Sequence, residues 1–372
     1  SVDIYVETII KKAKIVLVRV LGGRTYWPYG IDEIVATCTH NAIPLALLPG
    51  DDQPDIELMH LSSIDQEMLY KIWQFQVHGG INNASGMLSL VSNLIGREKT
   101  WIEPEPLVRT GLYWPKTELP DLNIIQSNWI ENAPVVALIF YRALVQAGNV
   151  EVINMLILEL MRLNLNPLPI FTQSLKDKVS AGILESIFFR SKPDIILNST
   201  GFSVSSPGAE SSHTPFEVGR DNDPPMVIQM VFSGSGKENW KVNNNGLSAR
   251  DVAMNVALPE VDGRVFTRAI SFKEIGKRDK LTEADLVSYV PSRDRVKFVC
   301  ELAKCWVTLR ITAIKERRIA IVVANYPNQD GRIGNGVGLD TPESAVKILK
   351  AMKKEGYSIC DIPKDGKELL KR

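Results

Sequence analysis

Short unbroken apolar runs alternate along the chain with longer stretches in which apolar residues recur every three or four positions. Residues 14–20 (KIVLVRV) and 43–48 (IPLALL) have the pattern of buried strands, and residues 31–41 between them that of a helix. Residues 64–77 and 87–95 predict amphipathic helices. Strand, helix, strand in that order predicts a right-handed parallel crossover, and with it a small α/β head domain over residues 1–97. Residues 98–130 break the pattern. Pro104, Pro106, Pro115 and Pro120 exclude long helices there. Trp101, Trp114 and Trp129 are costly to leave in water, so the segment is expected to be an ordered connector.

Alternation resumes in residues 131–290. Strands are predicted at 135–141 (VVALIFY), 166–171, 194–198 and 226–232, with a strongly apolar helix at 150–163. Repeated strand–helix units predict a doubly wound parallel sheet. Residues 201–225, rich in Gly, Ser, Pro and Asp, form a loop long enough to be functional or mobile. A third unit, residues 291–372, opens with a helix at 293–309, followed by charged residues 315–318. It continues with a strand at 319–324, a glycine-rich loop, a helix at 344–354 and a strand at 357–359. One strand–helix–strand unit buries too little for a core, so this body domain is expected to be incomplete. The fold class is therefore α/β, with several doubly wound, Rossmann-like parallel-sheet domains in tandem and the last one truncated.

Length and composition agree with that picture. A chain of 372 residues, 45% of them apolar, has room for two or three packed domains. Lys plus Arg and Asp plus Glu each total 43, which gives no electrostatic reason to expect nucleic acid or an anionic membrane. The first residue is Ser1, as expected of a processed or excerpted chain. No secretory pattern stands near the start, and apolar runs such as 134–140 fall far short of the ~20 residues that span a bilayer. A soluble, cytoplasmic protein is expected. Four cysteines do not make a disulfide scaffold. Cys300 and Cys305, on a predicted helix, point about 140° apart, so buried free thiols are expected rather than a shared metal.

Several local motifs carry possible chemistry. Residues 331–338 (GRIGNGVG) follow a predicted strand and could cradle an anion with backbone amides, or simply form a tight loop. Their glycines alternate and do not match the dinucleotide fingerprint. Residues 233–237 (SGSGK) lack the first glycine of a phosphate loop, Val231 standing in its place, and Glu238 replaces the required Ser or Thr. ATP is not expected to bind there. Residues 201–205 (GFSVS) miss the last glycine of a nucleophile elbow. His40, His60, His78 and His213 are isolated, so no metal site is expected. Residues 257–263 (ALPEVDG) place Glu260 and Asp262 at a turn, as proton acceptors, as ligands of a hard cation, or as a solvated turn with a capping acid.

Seven stretches in a fixed order bring a family into view. They are LVRVLGGRTYWPYG at 17–30, LALLPGDD at 45–52, FYRALVQAGN at 140–149, PLPIFTQSLKD at 167–177, DIILNSTGF at 194–202, GLSARDVAMNVALPEVDGR at 246–264 and ANYPNQDGRIGNGVGLDTPES at 324–344. Together they resemble the large subunits of aerobic cobaltochelatases, the CobN type, and more distantly the magnesium chelatase H subunits. The resemblance implies an ATP-dependent ligase that forms metal–nitrogen bonds, inserting cobalt(II), its metal substrate, into hydrogenobyrinic acid a,c-diamide during cobalamin biosynthesis. It also implies two partners, an AAA+ ATPase subunit and a subunit with an integrin-like domain, at which ATP and Mg2+ act.

Ring insertion must remove N–H protons and strip water from the cation, tasks suited to carboxylates and histidines. The ring's acid and amide arms suit Arg and backbone N–H donors. Glu260 and Asp262 are on this basis the catalytic candidates. Arg142, Asn325, Asp330, Arg332, Asn335 and Gly336 are the substrate-binding candidates. The family's G-x-H-G-x-x-E-W type motif does not occur in these residues and would lie beyond Arg372, so the segment is not expected to insert cobalt alone. Alternatives are a magnesium chelatase large subunit acting on protoporphyrin, a non-catalytic two-lobed α/β binding module, and a nucleotide-sugar transferase, which would bind its nucleotide at 331–338.

Overall fold

Strands β1 (Val16–Val20) and β2 (Leu45–Pro49) pair in parallel, with Val16 opposite Leu45 and Val20 opposite Pro49. Every residue of β2 is buried. Side chains alternate between the faces of a strand, and here both faces are covered. Leu45 and Leu47 pack with Ile31, Ile34 and Cys38, whereas Ala46 and Leu48 pack with Leu69, Ile72, Trp73 and Phe75. The first group includes residues of the helix Pro28–His40, the second those of the helix Gln66–His78. Double burial is why this strand reads as a continuous apolar run.

In this computed structural model the described residues are 1–206, 208, 213–218, 223–242, 246–323, 334, 336 and 338–372, Lys277 by its backbone alone. The chain divides into two units, Ser1–Lys297 and Phe298–Arg372.

The first unit also holds a seven-stranded sheet. Its strands are β3 (Thr110–Leu112), β4 (Val135–Tyr141), β5 (Asn166–Thr172), β6 (Ile195–Asn198), β7 (Met226–Ser233), β8 (Val265–Arg278) and β9 (Asp285–Pro291). They lie in the order β3-β5-β4-β6-β7-β8-β9. The five inner strands are parallel, and β3 and β9 close the two edges in antiparallel pairs. Val135, Ala137 and Ile139 of β4 join Leu168, Ile170, Leu184, Phe188 and Ile196 in one core cluster. Val136, Leu138 and Phe140, on the opposite face, are buried as well. The mixed α/β class with a mostly parallel sheet is as expected from the sequence.

Residues between the two sheets are tied down at several points. β3 lies within them. Trp114 and Trp129 pack against the core of the large sheet, and the Trp129 indole N–H donates to the Pro167 carbonyl at 2.9 Å. Trp101 packs against the cluster beneath β2, with the Lys71 ammonium 4.9 Å from its ring centroid. Buried aromatic area of this size is what orders a stretch too rich in proline for a helix.

Several helices begin on an aspartate whose carboxylate accepts the orphan amides of the first turn. Asp65 accepts from the Glu67 and Met68 amides at 2.9 and 3.2 Å. Asp177, before the helix Lys178–Ser191, accepts from the Ser180 amide at 2.9 Å and the Ser180 hydroxyl at 2.7 Å.

The second unit, by itself, places the helix Thr341–Lys354 beside the helix Gly366–Lys371. The Gly366 amide donates to Glu343 at 2.8 Å. A Cβ on Gly366 would lie 2.7 Å from the Glu343 backbone nitrogen, so only glycine permits this approach. Two expectations fail here. Described residues 319–323 and 357–359 form no strand, because a strand requires a ladder partner and neither stretch finds one among the described residues. Cys305 is exposed rather than buried, as is Cys360, whereas Cys38 and Cys300 are buried. The β8–β9 hairpin is a further departure from the predicted elements, since no strand is expected between residues 232 and 319.

Two predictions follow from the packing. Leu47→Ala, fully buried between β1, β2 and the helix Pro28–His40, is expected to destabilise the fold by about 2–5 kcal/mol in urea unfolding. Asp177→Ala is expected to cost roughly 1 kcal/mol and to speed amide exchange in the first turn of Lys178–Ser191. Hydrogen bonds from the Ser180 hydroxyl and amide, with Arg109 nearby, hold the Asp177 carboxyl below its usual pKa. A depressed carboxyl stabilises the fold above its unfolded pKa and loses that contribution as the pH falls through its folded value. The gap between the native protein and Asp177→Ala should therefore close in acid; a gap that widens there would contradict this account.

Candidate functional site

The inner strands of the large sheet run β5-β4-β6-β7-β8, so the chain steps from β4 to one side for β5 and returns to the other for β6. At such a reversal the loops leaving neighbouring strands part in opposite directions and open a crevice at their carboxyl ends. Here the crevice encloses about 190 Å³. Tyr141 ends β4, Ser174 and Lys176 follow β5, Thr200 and Ser203 follow β6, and Arg264 immediately precedes β8.

A dense polar network fixes the wall after β6. The Thr200 carbonyl accepts from the Asn198 and Gln229 side-chain amides at 3.1 and 3.0 Å, and from the Arg264 guanidinium at 3.4 Å. Asn198 also donates to Gln229 at 2.7 Å, and the Thr200 hydroxyl donates to Asn198 at 2.9 Å. The Tyr141 hydroxyl donates to the Gly201 carbonyl at 3.2 Å. Gly201 itself abuts a π-helical stretch, Ala253–Ala257: a Cβ there would meet Asn255 Oδ1 at 2.8 Å and the Met254 carbonyl at 3.0 Å. Phe202, next in sequence, has φ +61° and lies 47% exposed at the lip, its amide held by the Met254 carbonyl at 2.7 Å. Left-handed backbone at a bulky residue is strained and persists only where its surroundings impose it.

Arg264 and Asp262 form an ion pair at 2.7 Å, and each side chain is 1% exposed. Asp262 further accepts the Val204 and Ser205 amides at 2.7 and 3.0 Å. The Arg264 guanidinium also lies 5.5 Å from the Phe216 ring centroid. Burial lowers its pKa, and the Asp262 carboxylate opposes that shift. Tyr141 is pushed up, chiefly by burial, with Arg264 nearby pulling the other way.

The residues expected from the sequence fall in different places. Asp262 lies behind the crevice, fully engaged with Arg264 and two amides, while Glu260 is exposed two residues earlier. Arg142 lines a neighbouring crevice of about 240 Å³ with Arg19, Asp51, Asp52, Gln146 and Gln173, and Tyr141 belongs to both crevices. Its guanidinium donates to the carbonyls of Leu107 at 2.7 Å, Val108 at 3.0 Å and Val77 at 3.5 Å. Burial disfavours ionisation of Asp52, but hydrogen bonds from Gln53 and Gln173 and the nearby Arg109 outweigh it and lower the pKa. Asn325, Asp330, Arg332 and Asn335 lie outside the described residues. Gly336 pairs with Leu339 in an isolated bridge. The structure thus pairs Asp262 with Arg264, which lines the crevice with Ser174, Lys176 and Thr200; sequence reasoning selected none of these four. The available signal was a Thr-Gly step two residues after a buried strand.

Other motifs resolve plainly. In the SGSGK loop, the Gly234 amide donates to Asp251 at 3.1 Å and the Lys237 amide to Glu274 at 2.8 Å, so the loop's donors already face carboxylates of the same chain. The Ser203 hydroxyl of GFSVS donates to the Ser205 carbonyl. The second unit carries a groove of about 560 Å³ walled mainly by Ile319, Ile321, Val323, Leu349 and Met352. Among the described residues, no three His, Cys, Asp or Glu side chains gather as a metal site, and no helix is long and apolar enough to cross a membrane.

Comparison with known proteins places these features. The aerobic cobaltochelatase subunit CobN of Sinorhizobium sp is 42% identical over 381 residues, covering 100% of this chain and 29% of that protein. The subunit of the same name from Pseudomonas aeruginosa is 41% identical over 373 residues, with the same coverage of 100% and 29%. The solved catalytic subunit of cobaltochelatase from Mycobacterium tuberculosis superposes with a TM-score of 0.73 at 28% identity, over 99% of this chain and 30% of that one. The chain thus spans about three-tenths of the length of these relatives. A family model described as CobN/Magnesium Chelatase matches residues 73–372. With its sequence matched from end to end and its fold shared, the chain belongs to the CobN/magnesium chelatase family.

Proposed function

We propose that residues 1–372 are the amino-terminal part of the large, corrinoid-binding subunit of an ATP-dependent cobaltochelatase, which inserts Co(II) into hydrogenobyrinic acid a,c-diamide. The observation that carries this reading is the match, along the whole chain, to two proteins named aerobic cobaltochelatase subunit CobN. Cobalt is the substrate metal, and ATP with Mg2+ acts at an AAA+ partner and a partner with an integrin-like domain. The occupied amides of the SGSGK loop favour nucleotide chemistry outside this segment. The role of the segment in this reading is to bind and orient the ring.

Roles within the segment follow from geometry. Glu260, exposed, is the carboxylate of the pair that is open to substrate, and Asp262 is a positioning residue that acts through Arg264. Arg142 positions the crevice lined by Asp51 and Asp52 by joining residues 107–108 to the end of the helix Gln66–His78. Asn325, Asp330, Arg332, Asn335 and Gly336 remain the proposed substrate-binding residues, on the sequence resemblance alone.

Titration of the chain with hydrogenobyrinic acid a,c-diamide, followed in the visible spectrum beside protoporphyrin, tests the assignment. A saturable shift with the first ring and none with the second is expected. A chain that binds a nucleotide and neither ring would overturn the reading. In the complete subunit, Glu260→Gln is expected to lower ring affinity or turnover with the melting temperature unchanged; if both stay at wild-type values, Glu260 has no such role. Asp262→Asn should instead destabilise the fold by about 3–5 kcal/mol, because it leaves a buried guanidinium uncompensated.

A further inference from the structure

The crevice of about 240 Å³ stands where the carboxyl ends of both parallel sheets meet. Arg19 comes from β1, Asp51 and Asp52 follow β2, Tyr141 ends β4 and Gln173 follows β5. Every residue that lines it is among the described ones. Open crevices at the carboxyl ends of parallel strands are where such folds take ligands. The charges on its walls exclude most classes of ligand. Two guanidiniums, Arg19 and Arg142, face two carboxylates, Asp51 and Asp52, so the formal charges of the lining cancel. Asp52 keeps its charge, since its burial is outweighed by hydrogen bonds from Gln53 and Gln173 and by the nearby Arg109. An anion entering here meets two carboxylates. A cation meets Arg19 and Arg142, and among the described residues Arg142 bonds three carbonyls and no acid.

The open polar atoms say what remains. Arg19, Asp51 and Gln173 are exposed. Arg19 spends Nε and Nη2 on the carbonyls of Pro49 and Gly50, which leaves the Nη1 protons to donate. Gln173 Nε2 gives one proton to Asp52 at 3.3 Å and keeps the other, with its own Oε1 free. Asp51 accepts the Gln53 amide on one oxygen at 3.1 Å, and the second is unused. Gln146 donates its Nε2 to the Val77 carbonyl, and its Oε1 takes no hydrogen bond from a described group and is not among the buried unpartnered atoms. Donors and acceptors thus stand together without an excess of charge. A primary carboxamide, with two N–H donors and one carbonyl acceptor, matches that mixture. Volume limits the rest of the ligand. The space equals roughly eight waters at ~30 Å³ each and lies below the ~300–1,000 Å³ of sites that engulf a whole small molecule.

We infer that this crevice is a subsite for a primary carboxamide on a short aliphatic arm, and that it selects the amide against a carboxylate or an ammonium of the same size. On the reading given above, the arm is one amide arm of the ring substrate, and this last step rests on that reading. The wall is set before any ligand arrives. Arg142 and Gln146 both hold the Val77 carbonyl, and the Gly80 amide returns a bond to the Gln146 carbonyl.

Propionamide is the probe, with propionate and propylammonium as its charged counterparts, followed on the chain by ligand-observed saturation-transfer NMR at constant ionic strength. Saturable binding of propionamide and of neither ion is expected. Gln173→Leu, at the rim, should weaken propionamide roughly fivefold, the worth of about one hydrogen bond. Asp51→Asn with Asp52→Asn removes the negative charge and should let propionate bind, which a merely structural role for the two acids does not predict. Equal binding of the three probes, a Gln173→Leu chain that binds propionamide as the native chain does, or a folded double variant that still refuses propionate overturns the subsite. Where circular dichroism shows the double variant unfolded, Gln173→Leu decides the matter. Displacement of propionamide by hydrogenobyrinic acid a,c-diamide supports the assignment to a ring arm. Propionamide that binds at the subsite but is not displaced leaves the subsite standing and removes the arm assignment alone.

Discussion

A guanidinium shut away from water must have its charge matched on the spot, or the chain will not close around it. Arg264 meets that requirement with Asp262, and the pairing reaches well beyond two side chains. Asp262 also gathers the amides of Val204 and Ser205, while Arg264 takes up the Thr200 carbonyl. The exit from β6 and the entry to β8 are thereby joined through one charge pair. The π-helical stretch before Asp262 then meets Gly201 so closely that no side chain fits between. Remove the pair and the wall of the crevice has no fixed position. Buried ion pairs contribute little net stability when compared with a well-packed apolar replacement, so the value of this one lies in geometry.

The rest of the first unit serves the same end by plainer means. Five parallel strands, of which β4, β5 and β6 are buried on both faces, give a floor whose carboxyl ends all open on one side. Arg142 and Gln146, at the start of the chain's path away from β4, donate to the carbonyl of Val77. The Gly80 amide returns a bond to the Gln146 carbonyl at 2.8 Å. The small sheet and its helices are so tied to the end of β4, and Tyr141 stands between the two crevices as their shared wall.

What was legible in the sequence was whatever burial made uniform. β2, β4 and β5 have almost no exposed residue, and their runs LALLP, VVALIFY and NPLPIFT announced them. The hairpin of β8 and β9 was hidden for the opposite reason. Its apolar positions follow no regular two-residue period, charged residues crowd its tip, and Leu286 and Val287 are exposed, so the pattern did not separate it from a loop. Residues 319–323 and 357–359 erred the other way, being apolar enough for strands but without a ladder. At the site, Asp262 drew attention as an acid at a turn, yet its work is inward and electrostatic. Arg264, two residues on, was passed over because a charged residue is expected at the surface. Nothing in spacing or composition distinguishes a buried arginine from a solvated one; only the fold does.

The SGSGK loop has one further meaning. Its amides point at Asp251 and Glu274, two anions that are covalently part of the chain and so are present at an effective concentration no solute can match. Nucleotides and free phosphate compete for any cluster of backbone donors on a protein surface. A loop that carries its own counter-charges is shielded from them.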